Sequence, residues 1–77
     1  MNTIQEIQAY LKREKQGMLE PGTPERMMVE VLEELTDKCQ SVEEFIEKAQ
    51  IPVTGAGIEQ VAIANEYREI ALEAIQG

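Results

Sequence analysis

Histidine is absent from the 77-residue sequence, and cysteine occurs only once, at Cys39. Without histidine there is no Ser-His or Cys-His pair, and the usual general base near neutral pH is missing. A single cysteine excludes a disulfide within the chain, and the thiolate and imidazole ligands of common metal sites are nearly all missing. We therefore expect a protein that is not an enzyme, with no catalytic residues, no metal and no cofactor.

Basic residues and long apolar runs are also scarce. Fifteen acidic residues outnumber seven basic ones, which gives a net charge of −8. Direct nucleic-acid binding needs a basic surface and is not expected. No apolar run approaches the ~18 residues of a membrane span, and no signal peptide is visible at the N-terminus. A single unpaired cysteine fits a reducing compartment. Together, these features predict a cytoplasmic protein that does not bind membranes.

The acidic excess has two interpretations. Glutamate favours helix and keeps a small bundle in solution, so the acidic faces could be solubilising only. Alternatively, they could meet a protein partner with a basic surface. A domain of this size buries only about 60% of its unfolded surface, so helix packing and self-association are expected to add stability.

Local signals predict where the first helix lies. Thr3 and Glu6 form a capping box, and Gly17 can end a helix, so we predict a helix over residues 3–16. Its last turn is basic, which either compensates the helix dipole or offers cations to an anion. These basic residues are Lys12, Arg13 and Lys15.

The second helix is predicted over residues 24–39, after an apolar linker in which Met18 and Leu19 are expected to pack against the core. Thr23 supplies an N-cap and proline follows at the first helical position. The apolar stripe of this helix consists of Met28, Val31, Leu32, Leu35 and Cys39. Cys39 is predicted to be buried and structural, and Val29 is expected to lie away from the stripe. Met27 flanks the stripe, and the Met27–Met28 pair is either core filler or an adaptable contact surface.

A short third helix is predicted over residues 42–50. Ser41 begins a second capping box, and Phe45 is expected in the core. Pro52 disfavours helix at the preceding residue, so extended chain follows. Thr54 is a possible cap for the last helix.

The last helix, predicted over residues 57–76, carries an apolar arc of roughly 200°, against the ~100° of an ordinary surface helix. Such a helix must be covered from two directions, by the other helices and by a second copy of the protein. The predicted partner or oligomer interface consists of Val61, Ala64, Tyr67, Arg68, Ala71, Leu72 and Ile75.

Arg68 interrupts this arc and has three possible roles. Its guanidinium could reach solvent along an apolar edge, which is the commonest behaviour of arginine. It could pair with a carboxylate across an interface, or hold an anionic ligand between helices. The candidate anion-binding groups are Arg68, Lys12, Arg13, Gly55 and Gly57, the glycines flanking a turn before a helix N-terminus.

Together, these features predict one all-α domain over residues 1–77, a small bundle of about four amphipathic helices assembled as a dimer or higher homo-oligomer. We expect a small acidic interaction or regulatory protein, of inhibitor or adaptor type, that binds another protein and self-associates through its C-terminal helix. The alternative is an oligomeric binder that holds an anionic metabolite or nucleotide between helices. No motif more specific than a capping box is present.

Overall fold

The computed structural model describes residues 1–17, 20–55 and 57–77, and this part of the chain is all-helical, with four helices and no strand. The expected packing of Met18 and Leu19 lies outside the described residues. Each helix end falls within one residue of its predicted position. The helices are α1 (Ile4–Gly17), α2 (Pro24–Lys38), α3 (Val42–Ala49) and α4 (Ile58–Gln76).

Side-chain hydroxyls cap the first three helices. Thr3, Thr23 and Ser41 each accept a hydrogen bond of 3.1–3.2 Å from the backbone N–H three residues later. These bonds satisfy amide groups that have no partner within the helix. The last helix differs, because its N-cap is Gly57, which has no side chain to cap it. The possible capping role of Thr54 is therefore wrong.

The core lies around α2, which packs against α1, α3 and α4. The largest side chains with almost no exposed surface include Phe45, as predicted, together with Ile7 and Leu11 of α1. Cys39 is also buried, at the C-cap of α2, as predicted. No helix in the described part of the chain is long and apolar enough to cross a membrane.

The buried face of α2 is rotated from the predicted stripe. Val29, expected to lie away from the stripe, is fully buried, whereas Val31, expected on it, is 45% exposed. The cause is α1, which packs along the flank that carries Val29. On that flank Glu33 forms a 2.8 Å ion pair with Lys15, and Arg26 donates to the Lys15 carbonyl oxygen. Both predictions for these valines were wrong because they assumed that α2 is covered from one side only.

Candidate functional site

The predicted interface on α4 is mostly buried within the chain. Val61 and Tyr67 are partly buried, and the other five residues have 7% or less of their surface exposed. The first three helices therefore account for most of the apolar arc without a second copy. Of the predicted set, only Val61 and Tyr67 keep partly exposed side chains, whereas Ile63 and Ile70, outside the set, are exposed. The five buried residues are Ala64, Arg68, Ala71, Leu72 and Ile75.

The guanidinium of Arg68 is held inside the fold. Its Nη1 donates a 2.9 Å hydrogen bond to the carbonyl oxygen of Ala49, at the C-terminal end of α3, and its Nε donates to Asn65 Oδ1. The residue is only 6% exposed, so the first of its three possible roles, with the guanidinium in solvent, does not apply. A cation is favourable at this end of a helix, where carbonyl groups lack helical partners. Arg68 thus joins α4 to α3.

Asn65 also holds the segment that precedes α4. Its side-chain oxygen accepts the N–H of Val53 at 3.1 Å, and its side-chain nitrogen donates to the Val53 carbonyl oxygen at 3.3 Å. These two bonds hold the Val53 backbone beside α4. This contact could not be predicted from the sequence, because Asn65 lies 12 residues after Val53 and resembles an ordinary polar-face residue of α4.

Two tyrosines share one carboxylate where α1 meets α4. Glu14 Oε1 accepts hydrogen bonds from the hydroxyl groups of Tyr67, at 2.9 Å, and Tyr10, at 3.3 Å. Burial, more than the neighbouring carboxylate, raises the pKa of both phenols. Neither tyrosine is therefore suited to lose its proton near neutral pH.

The predicted anion-binding groups are not brought together in the depressions on the described surface. Lys12 lines a polar depression between α1 and α2, whereas Arg13 is exposed on α1. Gly55 and Gly57 are exposed, and Ala56 between them lies outside the described residues. The guanidinium of Arg68 already has protein partners.

An apolar groove opens between α2 and the first turns of α4, with the Val53–Thr54 segment at its edge. Its volume is about 220 Å³. Its α2 wall includes Met27 and Val31, whose side chains are 50% and 45% exposed. The groove is lined by Pro24, Met27, Met28, Val31, Val53, Thr54, Gln60, Val61 and Ala64.

A second, broader depression adjoins the groove along the outer face of α2. The two depressions share Met27 and Val31, which therefore form the ridge between them. Its lining includes one cation, Lys15, which is paired with Glu33. The acidic lining residues are Glu30, Glu33, Glu34 and Asp37.

Comparison of the chain with protein-family models, curated proteins and solved structures gives no significant match. The groove and its acidic flank must therefore be interpreted from their own chemistry.

The remaining reactive groups do not form a second site. Burial raises the pKa of the Cys39 thiol, which disfavours the nucleophilic thiolate. Among the described residues, no group of three or more acidic or cysteine side chains is placed to hold a metal ion.

The sequence indicated part of the groove. Val61 and Ala64 were in the predicted interface, and Met27 was considered as an adaptable contact residue. Val31 and Val53 were missed. Val31 was missed because its exposure depends on how α1 rotates the buried face of α2, and Val53 because Asn65 positions it through tertiary contacts.

Proposed function

We propose that this protein is a non-enzymatic interaction domain that binds another protein through the apolar groove between α2 and α4. The observation that carries the proposal is the exposure of Met27 and Val31 beside an open apolar groove. Apolar side chains grouped around a concave surface favour contact with an apolar partner. The unbranched thioether of Met27 can adapt to the shape of a bound side chain.

The size of the groove supports a protein partner over a small molecule. Pockets for drug-sized ligands usually have volumes of about 300–1,000 Å³ and enclose most of the ligand. The groove has about 220 Å³ and lies open along one side, which suits one or two side chains projecting from a larger surface. The alternative of an anionic ligand between helices has less support, because Arg68 is engaged by Ala49 and Asn65.

Such a domain would act as an inhibitor or adaptor in the cytoplasm, by covering or recruiting its partner. The absence of histidine from the sequence supports a role without catalysis. Self-association through α4 remains a separate proposal, which involves the exposed Ile63 and Ile70.

A quantitative capture experiment with two matched variants tests the groove. Val31→Glu places a charge in the groove, and Ile58→Glu makes a comparable change at an exposed residue of α4 that lies outside the groove lining and is not part of the proposed self-association surface; the wild-type side chains are 45% and 90% exposed. We expect a protein captured from extract of the source cells by the wild type to be lost with Val31→Glu and kept with Ile58→Glu. Circular dichroism must show that both variants are folded. No captured protein, or equal loss with both variants, would contradict the proposal.

A further inference from the structure

We infer that the groove receives an amphipathic α-helix whose apolar face is bordered on one side by lysine or arginine residues. This inference rests on the proposed function and specifies the chemistry of the partner. Three observations carry it: the helical walls of the groove, the spacing of its exposed residues, and the acidic depression along one edge.

The walls of the groove favour a helix over an extended peptide. Extended peptides commonly bind by adding a strand to the edge of a sheet, and the described residues contain no strand. Helices instead bind apolar grooves through side chains spaced at i, i+3 or i+4, and i+7. Met27 and Val31 are one helical turn apart on α2. The groove follows α2 from Pro24 to Val31, a rise of about 10 Å, which matches two turns of a bound helix.

The acidic depression indicates the charge of one edge of that helix. Met27 and Val31 border both the groove and the acidic depression. One edge of a helix bound in the groove would therefore lie next to the carboxylates that line the acidic depression. Glu30 and Glu33 already form ion pairs with cations of this chain. Among the ion pairs of the described residues, none includes Glu34 or Asp37, and both residues are exposed. Asp37 Oδ1 also accepts a 3.3 Å hydrogen bond from Gln8 Nε2, which is an uncharged donor. Neither carboxylate has a cationic partner among these ion pairs, so both can pair with lysine or arginine of a bound helix.

The charges are expected to set specificity more than affinity. Opposite charges at the rim of an interface raise the association rate and select among partners, and salt screens them. The apolar groove supplies the contact that persists at high salt. The affinity of the correct partner should thus contain a salt-sensitive part, from Glu34 and Asp37, and a salt-resistant part, from Met27 and Val31.

Three synthetic peptides test the inference against the full-length protein by fluorescence anisotropy. The first is a fluorescein-labelled Leu/Lys peptide of about four turns, with leucine at i, i+4 and i+7 and lysine beside this face. The second replaces each lysine with glutamate. The third has the composition of the first, with leucine and lysine alternating as in a strand.

We expect the helical Leu/Lys peptide to bind most tightly. The double variant Met27→Ser/Val31→Ser should weaken its binding at least about tenfold, at low and high salt alike. Glu34→Gln/Asp37→Asn should weaken it about threefold to tenfold at low salt and less at high salt. The matched control is Glu59→Gln/Glu66→Gln, which should change affinity less than twofold. It neutralises two exposed carboxylates on the face of α4 that points away from the groove.

Several outcomes would overturn the inference while leaving groove binding itself intact. Equal binding of the Leu/Glu peptide, with the same dependence on Val31, would reject a cationic edge. Tighter binding of the alternating peptide would reject a helix. A dimer that dissociates in Met27→Ser/Val31→Ser would show that a second copy of this chain fills the groove.

Binding that depends equally on both pairs of carboxylates would indicate unspecific attraction to an acidic protein and would also reject the inference. The proposed function is judged separately, by the capture of a partner with Val31→Glu and Ile58→Glu. Failure of the peptides together with selective loss of the captured partner would reject only the helical, cationic description of that partner.

Discussion

The hydroxyl group of Tyr67 donates a 2.9 Å hydrogen bond to Glu14 Oε1, which joins α4 to α1 across 53 residues of chain. We expect Tyr67→Phe to lower the free energy of unfolding by about 1 kcal/mol, because phenylalanine keeps the packing and loses this bond. Urea denaturation measures the change. Tyr10→Phe removes a longer bond, of 3.3 Å, to the same oxygen and should cost less. A Tyr67→Phe protein as stable as the wild type would show that the bond gives no net stabilisation.

The raised pKa of the Tyr67 hydroxyl group predicts that the protein loses stability in alkaline solution. The pKa of Tyr67 is raised above the ordinary value of 10.0, first by burial and then by its hydrogen bond to Glu14. Above pH 10 the unfolded chain therefore loses the phenolic proton more readily than the folded chain. The stabilisation is complete below the unfolded pKa and is lost as pH rises toward the folded one. Unfolding free energies measured from about pH 9 to 11 should fall more steeply for the wild type than for Tyr67→Phe.

Arg68 is expected to maintain the fold. Arg68→Met removes the donor to the Ala49 carbonyl oxygen and should lower the free energy of unfolding by about 1–3 kcal/mol. Arg68→Glu should cost more, because a carboxylate cannot donate to that oxygen and would be buried without a partner. Urea denaturation of both variants measures these losses. The control is Arg13→Glu, the same charge change at an exposed residue, which should stay within about 0.5 kcal/mol of the wild type. An Arg68→Glu protein as stable as the control would contradict this role.

Local signals predicted the helices, whereas the candidate site depends on contacts between them. Thr23 and Ser41 cap helices through bonds to residues three positions away, so sequence alone located these ends. The exposure of Val31 could not be predicted in this way, because it depends on the packing of α1 beside α2. Arg68 was recognised as unusual, but its partner, the Ala49 carbonyl oxygen, is 19 residues away and becomes a neighbour only in the folded chain.

Asn65 is expected to keep one edge of the groove in place. Asn65→Ala removes both bonds to the Val53 backbone, so the amide hydrogen of Val53 should exchange with solvent about tenfold faster, measured by NMR. The neighbouring substitution Glu66→Ala alters an exposed residue and should leave this exchange unchanged. Unchanged exchange in Asn65→Ala would show that other contacts hold the segment.

Self-association and partner binding are proposed to use different surfaces of the protein. Ile63 and Ile70 are exposed and lie two turns apart on one side of α4, where they could contact a second copy. We expect light scattering to give a dimer or larger assembly for the wild type and a monomer for Ile63→Glu/Ile70→Glu. Val31→Glu, in the groove, should keep the wild-type mass. If the wild type is a monomer at all concentrations, α4 does not mediate assembly. If Val31→Glu instead dissociates the assembly, the copies contact each other through the groove, because that substitution leaves the outer face of α4 unchanged.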